Sequence, residues 1–188
     1  MKKITSIIAM SLCMFLTGSV FAQSNSMNTV LVGGAAMYPQ KDIVDNAVNS
    51  PDHTTLVAAV KAAGLVETLK SAGPFTVFAP VNDAFENLPA GTVDMLLKPE
   101  NKDKLTAILT YHVLAGAYDF DALAKLIREG KGVATLTTVN GATLTAMMNG
   151  KHNIQLKDAA GNIANITTYD VYQSNGVIHV IDSVVLPK

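Results

Sequence analysis

Between residues 41 and 73 the apolar side chains recur three and four positions apart. In "KDIVDNAVNS" the residues Ile43, Val44, Ala47 and Val48 share a helical face, and the polar run 49–51 closes the segment. In "HTTLVAAVKAAGLVETLKSAG" the stripe continues through Leu56, Val57, Val60, Leu65, Val66 and Leu69. The pattern predicts a helix capped by Thr54, interrupted near Gly64 and ended by Gly73. The period then changes, because "PFTVFAP" alternates large and small residues between two prolines and predicts a short strand. Pro80 has no N–H to give a sheet ladder, so the strand should stop there. Asn82 or Asp83 is placed to cap the helix that follows and turns Phe85 and Leu88 inward.

Helical spacing returns in "GTVDMLLKPENKDKLTAILTYHVL", as two helices divided at Pro99, the second carrying Leu105, Ile108, Leu109, His112 and Val113. "DFDALAKLIREGKG" predicts another, with Asp121 as its cap and Gly130 as its end. From Val133 the period falls to two. "VATLTTV", "ATLTAMM", "NIQLKD", "NIANITTYDV" and "GVIHVIDSVVLP" read as strands divided by "NG" and "GN" hairpin pairs. Helices first and strands later predict an α+β domain with its helices packed to one side. Residues 23–40, with Gly33, Gly34 and Pro39, read as a flexible leader holding at most one short strand, so the domain proper is set at 41–188.

The remaining N-terminal residues bear on where the chain works. "MKK", an apolar run and a closing "SVFA" make residues 1–22 a secretory signal peptide, with cleavage between Ala22 and Gln23. Lipidation at Cys13 is disfavoured because Leu12, not a small residue, precedes it. Removing 22 of the 188 residues leaves 166, enough for one domain with a self-sufficient core. That remainder has 12 basic and 15 acidic residues and no cysteine. Its acidity offers nothing to nucleic acid, and it has neither disulfides nor thiolate zinc sites. No second apolar run approaches a bilayer span, so an exported periplasmic or extracellular protein is expected.

Three stretches then carry a resemblance. "TVFAPVNDAF" at 76–85, "LTYHVLAG" at 109–116 and "NGVIHVIDSVVLP" at 175–187 resemble, in order, the first homology box, the Tyr-His motif and the second homology box of fasciclin domains. The structural residues of the two boxes are Thr76, Phe78, Pro80, Asn82 and Phe85 in the first, and Asn175, Gly176, His179 and Asp182 in the second. The resemblance implies a β-sandwich wedge flanked by several α-helices, with a role in adhesion at cell surfaces or in extracellular matrix. It also implies that partner contacts fall on Tyr111 and His112 and on a pair before the second box, here Asp170 and Val171. Val171 replaces the isoleucine of that pair, and Thr168 and Tyr169 depart from its animal flanks, so the resemblance does not extend to an integrin-type motif.

Chemistry enters last. His53, His112, His152, His179, Asp83, Asp170 and Asp182 are of types suited to acid–base work, but no G-x-S-x-G, G-x-x-x-x-G-K or H-E-x-x-H accompanies them. No catalytic residue, metal site or cofactor is assigned. His112, within an apolar stretch, is expected to satisfy a buried hydrogen bond, with partner contact as the alternative. His179 points away from Ile178 and Val180, toward solvent or the sandwich interior. Thr76 and Asp182 are expected to hydrogen-bond the first box to the second. Asp170 reads as a solvated residue in a polar break between strands. The function expected is non-enzymatic binding of a surface or matrix protein or glycan, weak per copy, with self-association or dense display as the source of strength. A periplasmic small-ligand carrier or stress-related accessory protein, using a cleft between helices and wedge, is the alternative.

Overall fold

The computed structural model describes residues 29–188, so the expected signal peptide and its cleavage at Ala22 and Gln23 lie outside the described residues. The chain starts with a hairpin, β1 (Val30–Val32) and β2 (Ala35–Met37), turning through Gly33 and Gly34, both at positive φ. Val32 and Met37 are buried in the core, so packing begins ahead of Lys41 and the leader contributes two strands, not one. Short helices follow: α1 (Ile43–Ala47), α2 (Thr54–Ala63) and α3 (Val66–Lys70). Gly64 separates the last two in the left-handed conformation, φ 74°, which only a residue without Cβ adopts freely. Next come β3 (Phe75–Pro80), α4 (Asn82–Glu86), α5 (Thr92–Leu96), α6 (Lys102–Tyr111), β4 (Val113–Ala115) and α7 (Phe120–Glu129). The chain ends in β5 (Val133–Thr137), β6 (Thr143–Asn149), β7 (Asn153–Lys157), β8 (Ile163–Gln173) and β9 (Gly176–Ile181).

Seven strands pair in the order β4-β3-β9-β8-β7-β6-β5. All neighbours are antiparallel except β3 and β9, which run parallel from Phe75 opposite Gly176 to Pro80 opposite Ile181. The two sequence boxes thus lie side by side. β8 is shared: its first residues pair with β7, and the rest, through two register shifts, pair with β9. The shifts let the sheet bend into a wedge. Inside the wedge Phe78, Ile181 and Leu114 meet Leu136, Leu144, Ile154 and Leu156, with Leu123 and Ile127 of α7 in the same cluster. On the other side Val77, Ala79, Ile178 and Val180 meet α1, α2 and α6 through Val44, Val60 and Leu109. Both boxes alternate residue by residue between the two cores, as a strand buried on both faces must.

Three caps differ from expectation. Thr54 caps nothing; its hydroxyl donates to Asn82 Oδ1 at 3.2 Å, and that oxygen also accepts the Thr55 N–H at 3.0 Å. Asn82 therefore holds the start of α2, not of α4, which has no side-chain cap. In α7 the cap is Asp119, accepting from the Ala122 N–H at 2.9 Å, and Asp121 is exposed in the first turn.

Candidate functional site

The Tyr-His motif closes α6, and its side chains point inward. Tyr111 is fully buried and donates to the Thr143 carbonyl at 2.7 Å, joining α6 to β6. Burial raises its ionisation above the usual phenol range. His112 accepts the Val185 N–H on Nε2 at 3.2 Å, which leaves Nδ1–H to donate to the Ile108 carbonyl at 2.8 Å. Burial lowers its pKa to about 4, so the ring is neutral. The buried hydrogen-bonding role is the one observed. Neither side chain offers area to a partner, so the contact role implied for Tyr111 and His112 is not supported by their position.

Asp170 is not in a turn. It lies within β8, at a bulge, with φ 57°, a conformation uncommon outside glycine and asparagine or aspartate. Its carboxylate accepts the Phe120 N–H at 2.8 Å, at the start of α7, where the helix dipole favours a negative charge. Val171 turns inward and is buried, so of this pair only Asp170 reaches the surface. Beneath lies His179, whose Nε2–H donates to the Tyr118 carbonyl at 2.8 Å and whose Nδ1 faces the Asp170 N–H at 3.4 Å. His179 is fully buried and stacks on Phe78, which places it on the interior side. Burial lowers its pKa against the pull of the Tyr118 carbonyl and of Asp170 and Asp119.

Around this bulge the fold gathers residues that pattern reading did not nominate. Phe120 and Tyr169 meet edge to face at 5.2 Å, and Tyr169 accepts the Ile154 N–H on its hydroxyl at 2.7 Å. Tyr172 is 50% exposed and reaches Asp119 Oδ2 at 3.4 Å. Its pKa is raised by partial burial first and then by the nearby charges of Asp170, Asp119 and Asp121. Tyr118, Phe120 and Tyr169 are each half-buried. The result is an aromatic patch with three carboxylates. The signal was present as "YDFD" at 118–121 and "TYDVY" at 168–172, but nothing local says that segments about fifty residues apart meet.

The other box residues are structural. Thr76 is buried and spans β3 to the loop after β4: its hydroxyl donates to the Gly116 carbonyl at 2.7 Å and accepts the Tyr118 N–H at 2.8 Å. Asp182 accepts from the Asn165 N–H at 2.8 Å and from its side-chain amide at 2.9 Å. The expectation that Thr76 and Asp182 hydrogen-bond the first box to the second is therefore corrected. The backbone ladder joins the boxes, and each polar side chain serves a different neighbour. Pro80 ends β3 as anticipated, and Phe85 is buried in the helical-side core. Asn175 and Gly176 form the β8–β9 turn and the start of β9.

Among the described residues no group of three or more His, Cys, Asp or Glu could hold a metal ion, and no helix is long and apolar enough to cross a membrane. His53 is buried with Nδ1 on Ser50 Oγ at 2.8 Å; its Nε2 lies toward the Ala79 carbonyl without meeting hydrogen-bond geometry, and burial lowers its pKa. His152 is exposed.

Comparison with known proteins agrees with the fold. A family model of the fasciclin domain matches residues 51–187. Protein sll1483 of Synechocystis sp. is 49% identical over 160 residues, covering 85% of this chain and 81% of that protein. The immunogenic protein MPB70 of Mycobacterium bovis is 37% identical over 172 residues, covering 89% and 78% respectively. The cell surface glycolipoprotein MPB83 of the same species is 34% identical over 177 residues, covering 92% and 72%. Among solved structures, a FAS1 domain pair from the insect cell adhesion molecule Fasciclin I superposes with a TM-score of 0.70 at 18% identity. The match covers 79% of this chain and 52% of that one, so this chain spans about half of the pair and the likeness is one of fold.

Proposed function

We propose that this chain, which belongs to the fasciclin domain family, acts after export as a non-enzymatic binding domain whose contact surface is the patch around Asp170. The observation that carries the reading is the exposed Tyr172 with the half-buried Phe120 and Tyr169, held beside Asp119, Asp121 and Asp170. Rigid aromatic rings with a polar tip are the side chains that most often dominate binding energy. Three carboxylates that form no salt bridge among the described residues select a basic partner and steer its approach. The partner of this reading is a surface or matrix protein presenting lysine or arginine, and adhesion is its outcome. Export is supported by the pattern of residues 1–22 and by a relative named as a cell surface protein. One patch of this size gives weak attachment, so several copies displayed together supply the strength.

The test is retention of immobilised protein on the exporting cell's envelope and matrix fractions, for the unaltered chain, Tyr172→Ala and Asp121→Lys. Both residues are exposed and cap no helix, so both variants should fold. Retention should fall about tenfold for Tyr172→Ala, as for loss of an aromatic anchor, and should weaken with salt in the unaltered chain but less in Asp121→Lys. Equal retention by all three proteins removes the patch from the function.

A further inference from the structure

Between the helices and the helix-facing side of β3 and β9 lies an apolar cavity of about 70 Å³. Val44 of α1, Val60 of α2, Leu69 of α3, Val77 of β3 and Leu109 of α6 form its walls. Two of the polar side chains along it, His112 and Thr110, are already occupied. Both ring nitrogens of His112 are engaged, and Thr110 Oγ1 donates to the Thr106 carbonyl at 2.7 Å. A space with so little to offer water stays dry and is filled favourably by hydrocarbon. The exposed residues of the lining are Lys61, Thr68 and Val139; the lining surface is apolar, so Lys61 meets the cavity with its methylene stem and keeps its ammonium in solvent. Lys61 is the one charged residue of the lining, and among the described residues it forms no ion pair.

We propose that this cavity binds the hydrocarbon end of a small amphipathic carboxylate, a short- or medium-chain fatty acid, with its carboxylate at the Lys61 ammonium. The volume sets the depth: it is about half that of the roughly 150 Å³ apolar cavity known to hold one benzene ring, so it takes the last carbons of a chain and not a fused-ring body. The single cation sets the head group, since an amine would be repelled and an alcohol would gain little. This goes beyond surface attachment and uses none of the residues around Asp170.

Calorimetric titration with butanoate, hexanoate, octanoate, octanol and octylamine tests it. Binding should tighten about fourfold per methylene between butanoate and hexanoate. Octylamine should bind more weakly than octanoate, and Lys61→Gln should weaken octanoate about fivefold while leaving octanol unchanged. Octanoate should shift the methyl resonances of Val60 and Leu69. Affinity independent of chain length, octylamine equal to octanoate, an unaffected Lys61→Gln variant, or shifts confined elsewhere would each overturn the proposal. Lys61→Gln leaves Tyr172 in place, so failure here is distinct from failure of the retention assay.

Discussion

Asn175 uses its whole amide on distant backbone. It accepts the Ile43 N–H at 3.1 Å and donates to the Leu69 and Ser71 carbonyls at 2.8 and 2.9 Å, clamping α1 and α3 to the turn before β9. Asn175→Ala leaves a buried N–H and two carbonyls short of partners and should cost about 3 kcal/mol in urea unfolding. Asn175→Asp keeps the acceptor, loses both donors, and should not rescue. His112 governs a pH response whose sign follows from its neutral buried ring. The folded ring takes a proton near pH 4 and the unfolded ring near 6.5, so the unfolded state binds more protons between those values. Stability is therefore full above pH 6.5, falls as pH drops through the window and levels below pH 4, with about 3 kcal/mol lost to this residue. His53 and His179 are shifted in the same direction and add to the fall. Urea midpoints at pH 7.5 and 4.5 measure it, and a His112→Gln variant should give a flatter profile.

The helix starts show how far local pattern reaches. Periodicity in "DFDALAKLIREG" places α7 correctly, yet its cap is Asp119 and not Asp121, because both stand just ahead of the apolar stripe and only the path of the incoming chain decides between them. Asp119→Ala should cost about 1 kcal/mol, whereas Asp121→Ala should stay within about 0.5 kcal/mol of the unaltered chain. Thermal midpoints of the two variants separate the assignments. Asn82 makes the same point across greater distance, since it stands at the head of α4 and serves α2, 27 residues earlier. A side chain's neighbours in sequence could not reveal that. The bulge in β8 was equally hidden: "NIANITTYDV" reads as a strand, and nothing local shows the positive φ of Asp170 or its bond to the Phe120 N–H.

The molecule is organised about β3 and β9, which present one face to the helices and the other to the wedge interior. Their contact is close at Gly176, where a Cβ would overlap the Phe75 carbonyl. Gly176→Ala must push the two strands apart and loosen both cores together, so a loss above about 2 kcal/mol is expected, with a single cooperative transition in chemical unfolding. Two separate transitions would show that the cores are independent. Spacing of apolar residues was sufficient for the α+β class and for most elements from α1 to β9, because burial imposes a period of 3.6 or 2 on any segment with one face inward; it missed the three-residue β4, whose Val113 it assigned to the preceding helix. Three linked motifs added the family. What the tertiary structure alone decided was direction and company: that Tyr111 and His112 turn inward, that Thr76 and Asp182 serve different partners, that Phe120, Tyr169 and Tyr172 gather about Asp170, and that the helices leave an apolar cavity. The hydrogen bonds among these contacts join segments from 17 to 73 residues apart, and a hydrogen bond or a cavity wall depends on distances that no local period encodes.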